Sequence, residues 1–160
     1  MDIITIKVIK TCTTGLLSIS IRDLYTFLKG SAHREHLEQI LSRLDITAEL
    51  DVIQALLDDL SNLNECNTVK IASKHVKETV DAIHEELKKI NDILEYHKIR
   101  YFNKWRNIGY EPYLECLCTY RKTLRKRRKL LFSVLNLSHL KRPYSNKLYK
   151  KSIKKLHFNK

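Results

Sequence analysis

The stretch that decides the fold is Asn67–Ile108, NTVKIASKHVKETVDAIHEELKKINDILEYHKIRYFNKWRNI, which contains neither glycine nor proline. One set of its positions, nearly all apolar or aromatic, recurs throughout at steps of 3 or 4: Val69, Ala72, Val76, Val80, Ile83, Leu87, Ile90, Leu94, His97, Tyr101, Trp105 and Ile108. An α-helix turns once in 3.6 residues, so this alternation lays them all along one stripe. His97 is the polar exception, and its ring face can still pack. Roughly 40 residues at 1.5 Å each make a rod of about 60 Å, which points to a coiled coil or a long antiparallel bundle. Asn67 or Thr68 stands where an N-cap is needed. Gly109 supplies a stop, and Pro112 cannot continue the helix.

Working outward, Glu111-Pro112 opens a second helix with proline at its first position. Tyr113, Leu117, Tyr120, Leu124, Leu131 and Leu135 carry its stripe, with Leu114 and Val134 beside it, to about residue 137. The short connection after Ile108 turns this helix back antiparallel to the first. Upstream, Leu17, Ile21, Leu24 and Leu28 predict a helix over 16–29, widened by Leu16 and Tyr25. Gly15 reads as a break before it and Gly30 as its end. Residues 2–14, rich in isoleucine, read as helix rather than strand, because a lone strand would lack a partner. Ser31 opens a short helix with the stripe Leu37, Ile40, Leu41 and Leu44. Asp45 is placed as the N-cap of the next, whose stripe is Leu50, Ile53, Leu57 and Leu60 and whose outer face is acidic: Glu49, Asp51, Asp58 and Asp59.

With only 3 glycines and 2 prolines in 160 residues, the chain has little material for turns. The expected fold class is therefore all-α: a helical bundle built on a long antiparallel hairpin, about 67–108 and 112–137, with the shorter N-terminal helices packed on it. Residues 1–140 read as one domain and 141–160 as a basic tail ordered by a partner.

Four cysteines, Cys12, Cys66, Cys116 and Cys118, form no dense framework. Reduced thiols and an intracellular location, cytoplasmic or nuclear, are expected. The first residues lack the pattern of a secretory signal. Lys7, Lys10 and Arg22 interrupt the longest apolar stretch, so no transmembrane span is expected.

The net charge of +12 is unevenly spread. Residues 1–97 hold 11 Lys and Arg against 16 Asp and Glu, a net −5, whereas residues 98–160 hold 19 against 2, a net +17. The richness in Lys, Ile, Asn and Tyr is that of an AT-rich coding sequence, but such drift does not explain the sudden loss of acids. The asymmetry points to a polyanionic partner for the C-terminal part, or to contact between the two halves.

The densest candidate is the basic run Arg121, Lys122, Arg125, Lys126, Arg127, Arg128 and Lys129, seven cations within nine residues. It suits phosphate binding or nuclear import. Equally, it suits a solvated bundle face whose repulsion is relieved by the acidic helix from residue 46. Lys141 and Arg142 extend it into the tail. A second patch places Arg100, Phe102, Lys104 and Arg106 among Tyr96, Tyr101, Trp105 and Tyr110. That pattern fits base stacking beside phosphate-binding cations. The simpler reading is the wide end of a hairpin core, filled by Tyr101 and Trp105.

His33-x-x-His36 with Glu35 lacks further ligands, since Cys116 and Cys118 two residues apart on a helix diverge. No glycine loop, Gly-x-Ser-x-Gly elbow or His-Glu-x-x-His motif occurs. No catalytic, metal or cofactor site is expected. The leading expectation is a non-enzymatic interaction or scaffold protein that self-associates or binds a partner helix. Polyanion binding, with nucleic acid foremost, comes second. An enzyme is a distant third, and the basic run also allows docking on an anionic membrane surface.

Overall fold

A computed structural model describes residues 13–59, 66–100 and 109–140; the side chains of 59, 99, 100 and 138–140 lie outside that description. The described residues form five helices and no strand: α1 (Thr13–Gly30), α2 (Arg34–Arg43), α3 (Ile46–Asp59), α4 (Asn67–Arg100) and α5 (Glu111–Leu140). At 34 residues, α4 is about 50 Å long. The stretch 101–108, read from the sequence as its continuation, lies outside the described residues, as do 1–12, 60–65 and 141–160.

Side-chain pairs fix the directions. Ser20 bonds Asp81, and further along both segments Ser31 Oγ donates to Asn91 Oδ1 at 2.6 Å, so α1 and α4 run parallel. Ser18 meets Gln54 while Tyr25, later in α1, donates to Asp51, earlier in α3, at 2.7 Å; α3 therefore runs opposite to α1. Arg127 reaches His75 and Thr79, whereas Lys89 stands over the ring of Tyr113, so α5 runs opposite to α4. The main helices pack in a ring, α1 on α4, α4 on α5, α5 on α3 and α3 on α1, with α2 against α1 and α3 at one end. The α4–α5 contact is the broadest, as the predicted hairpin requires.

The stripe of α4 is the core. Val69, Ala72, Val76, Val80, Ile83, Leu87, Ile90 and Leu94 are all buried. Leu117, Leu124, Leu131 and Leu135 meet them from α5, and Leu17, Ile21, Leu24 and Leu28 from α1. Ile46, Leu50, Ile53 and Leu57 of α3 close the centre. From Val69 to Leu94 the apolar spacing read from the sequence is thus satisfied within one chain, and the partner of that part of the stripe is intramolecular.

Several local expectations shift. Gly15 lies inside α1, not at a break; a glycine in the first turn costs only about 1 kcal/mol relative to alanine, which the buried stripe outweighs. Ser31 does not cap α2. Its Oγ accepts from the His33 N–H, its carbonyl accepts from Arg34, and the helix starts after His33, which makes no side-chain cap. Pro112 is the second residue of α5, because the Tyr110 carbonyl already accepts from Leu114. The missing N–H of proline is harmless anywhere in that first turn. Asp45 does begin α3 with its carbonyl, which accepts from Glu49, but its φ is 52°. It is a left-handed link that ends α2 and starts α3 at once, and aspartate tolerates that conformation better than most residues.

The interior also holds polar groups. Thr79 Oγ1 donates to the His75 carbonyl at 3.1 Å, while Ser73 Oγ is buried without a partner. His84 packs on Phe27 at 5.1 Å with its Nε2 buried and unpartnered. Burial holds its pKa below the ordinary value, and the nearby Lys88 acts in the same direction. Burial also raises the Tyr25 hydroxyl, reinforced by its bond to Asp51.

Two outcomes follow. Leu87→Ala, at a site with no exposure, is expected to lower stability by about 2–5 kcal/mol in urea unfolding. As pH falls through 6.5, the unfolded chain takes up a proton that folded His84 resists, so stability declines on acidification. His84→Phe should reduce the drop in urea midpoint between about pH 7.5 and about pH 5.5; an equal drop in both proteins would remove His84 as a source.

Candidate functional site

The basic run lies wholly on α5, and its like-charged neighbours three and four residues apart would weaken an isolated helix. The fold sorts these cations by their angle around the axis. Arg121, Arg125 and Arg128 follow one another at steps of 4 and 3 and face α3. Arg121 Nη2 donates to Asp45 Oδ2 at 2.8 Å. Glu49 takes both of the others: Arg125 Nε lies 3.8 Å from its Oε1, and Arg128 Nε donates to its Oε2. Glu49 is only 13 % exposed and Arg128 22 %, so that pair is held in a partly dry seam. Both carboxylates sit at the start of α3, where the helix dipole also favours negative charge. Arg127 points the other way, to α4. Its Nη1 donates to the His75 carbonyl at 2.6 Å and to Thr79 Oγ1 at 2.8 Å, with Glu78 at 3.8 Å.

Lys122, Lys126 and Lys129 repeat the same 4 and 3 spacing one residue further on, about 100° round the helix. All three are exposed, and none has an ion-pair partner among the described residues. The run therefore divides into an arginine edge that ties the bundle together and a lysine edge that faces solvent. The division suits the groups: a planar guanidinium offers several fixed donors to a carboxylate, while an ammonium is a strongly hydrated point charge.

Of the remaining candidates, Phe102, Lys104, Arg106, Lys141 and Arg142 lie outside the described residues, as does the side chain of Arg100. The aromatic and basic patch is thus not described, apart from an exposed Tyr96 edge-on to His97 and a half-buried Tyr110.

His33 and His36 look toward different partners. His33 Nε2 lies 3.2 Å from Glu95 Oε1, and His36 Nε2 shares a 3.1 Å hydrogen bond with the Tyr110 hydroxyl. The His36 bond ties α2 to the start of α5, and His33, just before α2, stands beside the end of α4. An open hollow of about 600 Å³ beside them is lined by Ala32, His33, Arg34, Glu35, His36 and Gln39. Among the described residues no group of three or more His, Cys, Asp or Glu stands close enough to hold a metal ion. Cys66 and Cys116 are exposed, Cys118 is half-buried, and all are unpaired thiols.

Comparison with protein-family models, with curated proteins and with solved structures found no match. Among the described residues no helix is long and apolar enough to cross a membrane.

Sequence reasoning named the seven cations of the run and raised the acidic helix as their neutraliser. It did not single out Asp45, Glu49 or Glu78 as the partners. One signal was present: the arginine and lysine positions separate cleanly once they are placed on a helical wheel.

Glu49→Gln should leave two guanidinium groups short of an anion. A loss of about 1–3 kcal/mol in urea unfolding is expected. Lys126→Gln should change stability by less than about 0.5 kcal/mol. Equal effects of the two substitutions would contradict the division into a structural and a free edge.

Proposed function

We propose that the protein is a non-enzymatic α-helical interaction module that binds an anionic partner through the outward face of α5. The main support is the division of the basic run. Four arginines are paired with groups on the neighbouring helices, Arg125 from an exposed position, yet Lys122, Lys126 and Lys129 remain together on one exposed edge. Three ammonium groups along about 10 Å of helix repel one another, and an anion laid across them removes that repulsion. The charge of the whole chain, +12, draws such partners from a distance.

Self-association through the long stripe has less support, because its apolar positions from Val69 to Leu94 are covered by α1 and α5. A protein of this kind acts as an adaptor, joining whatever it carries to a negatively charged surface or chain.

Binding to heparin and to mixed-sequence duplex DNA, followed by fluorescence anisotropy across salt, tests this proposal. Affinity should fall steeply between about 50 mM and about 200 mM salt. Replacing Lys122, Lys126 and Lys129 together by glutamine should reduce the slope of log affinity against log salt by about 3, one for each lost contact. Absence of binding to any polyanion at about 50 mM salt, or an unchanged slope, would overturn it.

A further inference from the structure

The outward face of the α4–α5 hairpin carries aliphatic side chains as well as cations. Ile71 is 57 % exposed, Leu130 51 % and Leu137 57 %. Leu130 and Leu137 stand two turns apart, so they share one side of α5. Arg127, one turn before Leu130, hydrogen-bonds the carbonyl of His75, one turn after Ile71. Because the two helices are antiparallel, that bond sets Ile71 level with Leu130, on the flank where α4 and α5 meet.

Cations border this patch. Lys126 lies one turn before Leu130 and Lys74 one turn after Ile71; both are exposed and without an ion-pair partner among the described residues. Glu78, the neighbouring acid on α4, faces Arg127 at 3.8 Å, which offsets its charge. Phe132 does not join the patch. Two residues beyond Leu130, it projects from the other side of α5.

We propose that this face docks the protein on the surface of an anionic lipid bilayer, which rests on the anionic-partner reading above and names the partner. Ile71, Leu130 and Leu137 enter the boundary between headgroups and acyl chains, while Lys74, Lys122 and Lys126 meet anionic headgroups. The aliphatic groups discriminate between polyanions. A phosphate backbone gains from the ammonium groups but little from three alkyl side chains beside them; a bilayer surface gains from both. The hairpin then lies in the plane of the interface, because neither of its described helices is apolar enough to span the membrane.

Flotation of the full chain with vesicles tests this inference. The protein should float with phosphatidylcholine vesicles containing about 30 % phosphatidylserine and not with pure phosphatidylcholine, and salt at about 0.5 M should release it. Leu130→Ser combined with Leu137→Ser should weaken vesicle binding on the order of ten-fold while leaving heparin affinity unchanged. Ile71→Ser alone, with circular dichroism and melting as folding controls, serves if the double variant fails to fold. The glutamine variant of Lys122, Lys126 and Lys129 should weaken both vesicle and heparin binding. Retention on heparin without flotation, or flotation unchanged by the serine substitutions, would overturn the bilayer assignment and leave the anionic-partner reading standing. No binding to heparin, DNA or vesicles would overturn both.

Discussion

Everything in the bundle depends on covering one apolar stripe. α4 is 34 residues long and presents a buried side chain at nearly every turn from Val69 to Leu94. Such a stripe left in water would cost far more than the marginal stability of a domain this size. The chain meets that constraint with two neighbours, α5 along one flank and α1 along the other, while α3 closes the remaining side between them. The short α2 buries Leu37, Ile40 and Leu41 and meets Tyr110 through His36, while Ser31 in the turn before it bonds Asn91 of α4. With the stripe occupied, eight large apolar side chains remain exposed among the described residues, Ile71, Leu130 and Leu137 the most open of them.

The same packing creates an electrostatic problem and settles most of it. Bringing α5 onto α4 lays seven cations on one helix of the bundle. Asp45 and Glu49, at the start of α3, neutralise the edge that turns inward, and Arg127 is absorbed by backbone and side chain of α4. In the seam Glu49 is shared between two guanidinium groups. Removing Glu49 leaves the partly buried Arg128 unmatched, so the seam depends above all on that carboxylate. Outside it, the lysines keep their hydration and exert their field on whatever approaches.

Much of the fold was legible because helical burial is periodic. Most stripe positions among the described residues are buried, from Leu17 to Leu135, while Leu44, His97, Tyr113 and Tyr120 are half-buried and Leu60, Tyr101, Trp105 and Ile108 lie outside the described residues. Helix ends were less legible. Gly15 reads as a breaker in isolation, yet it is held within α1 by residues such as Leu17 and Ile21 that pack on the core. Asp45 reads as a side-chain cap, yet its carboxylate is drawn to Arg121, a residue 76 positions away. A cap is a local contest, and a distant guanidinium can win it. The candidate site was legible in part for a similar reason: charge density shows in the residue string, but the partner of each charge does not.

By itself the amino-acid sequence determined the helices, their amphipathic faces, the antiparallel return after Gly109, and the concentration of positive charge beyond residue 97. These follow from spacing and composition, which act locally. Only the tertiary structure decided that the long stripe from Val69 to Leu94 is filled from within, that α3 lies beside α5, and that arginines and lysines of one run have different fates. Those outcomes depend on which faces meet. Neighbouring residues on a helix point about 100° apart, so Arg121 and Lys122 are adjacent in the chain and yet face a carboxylate and solvent respectively.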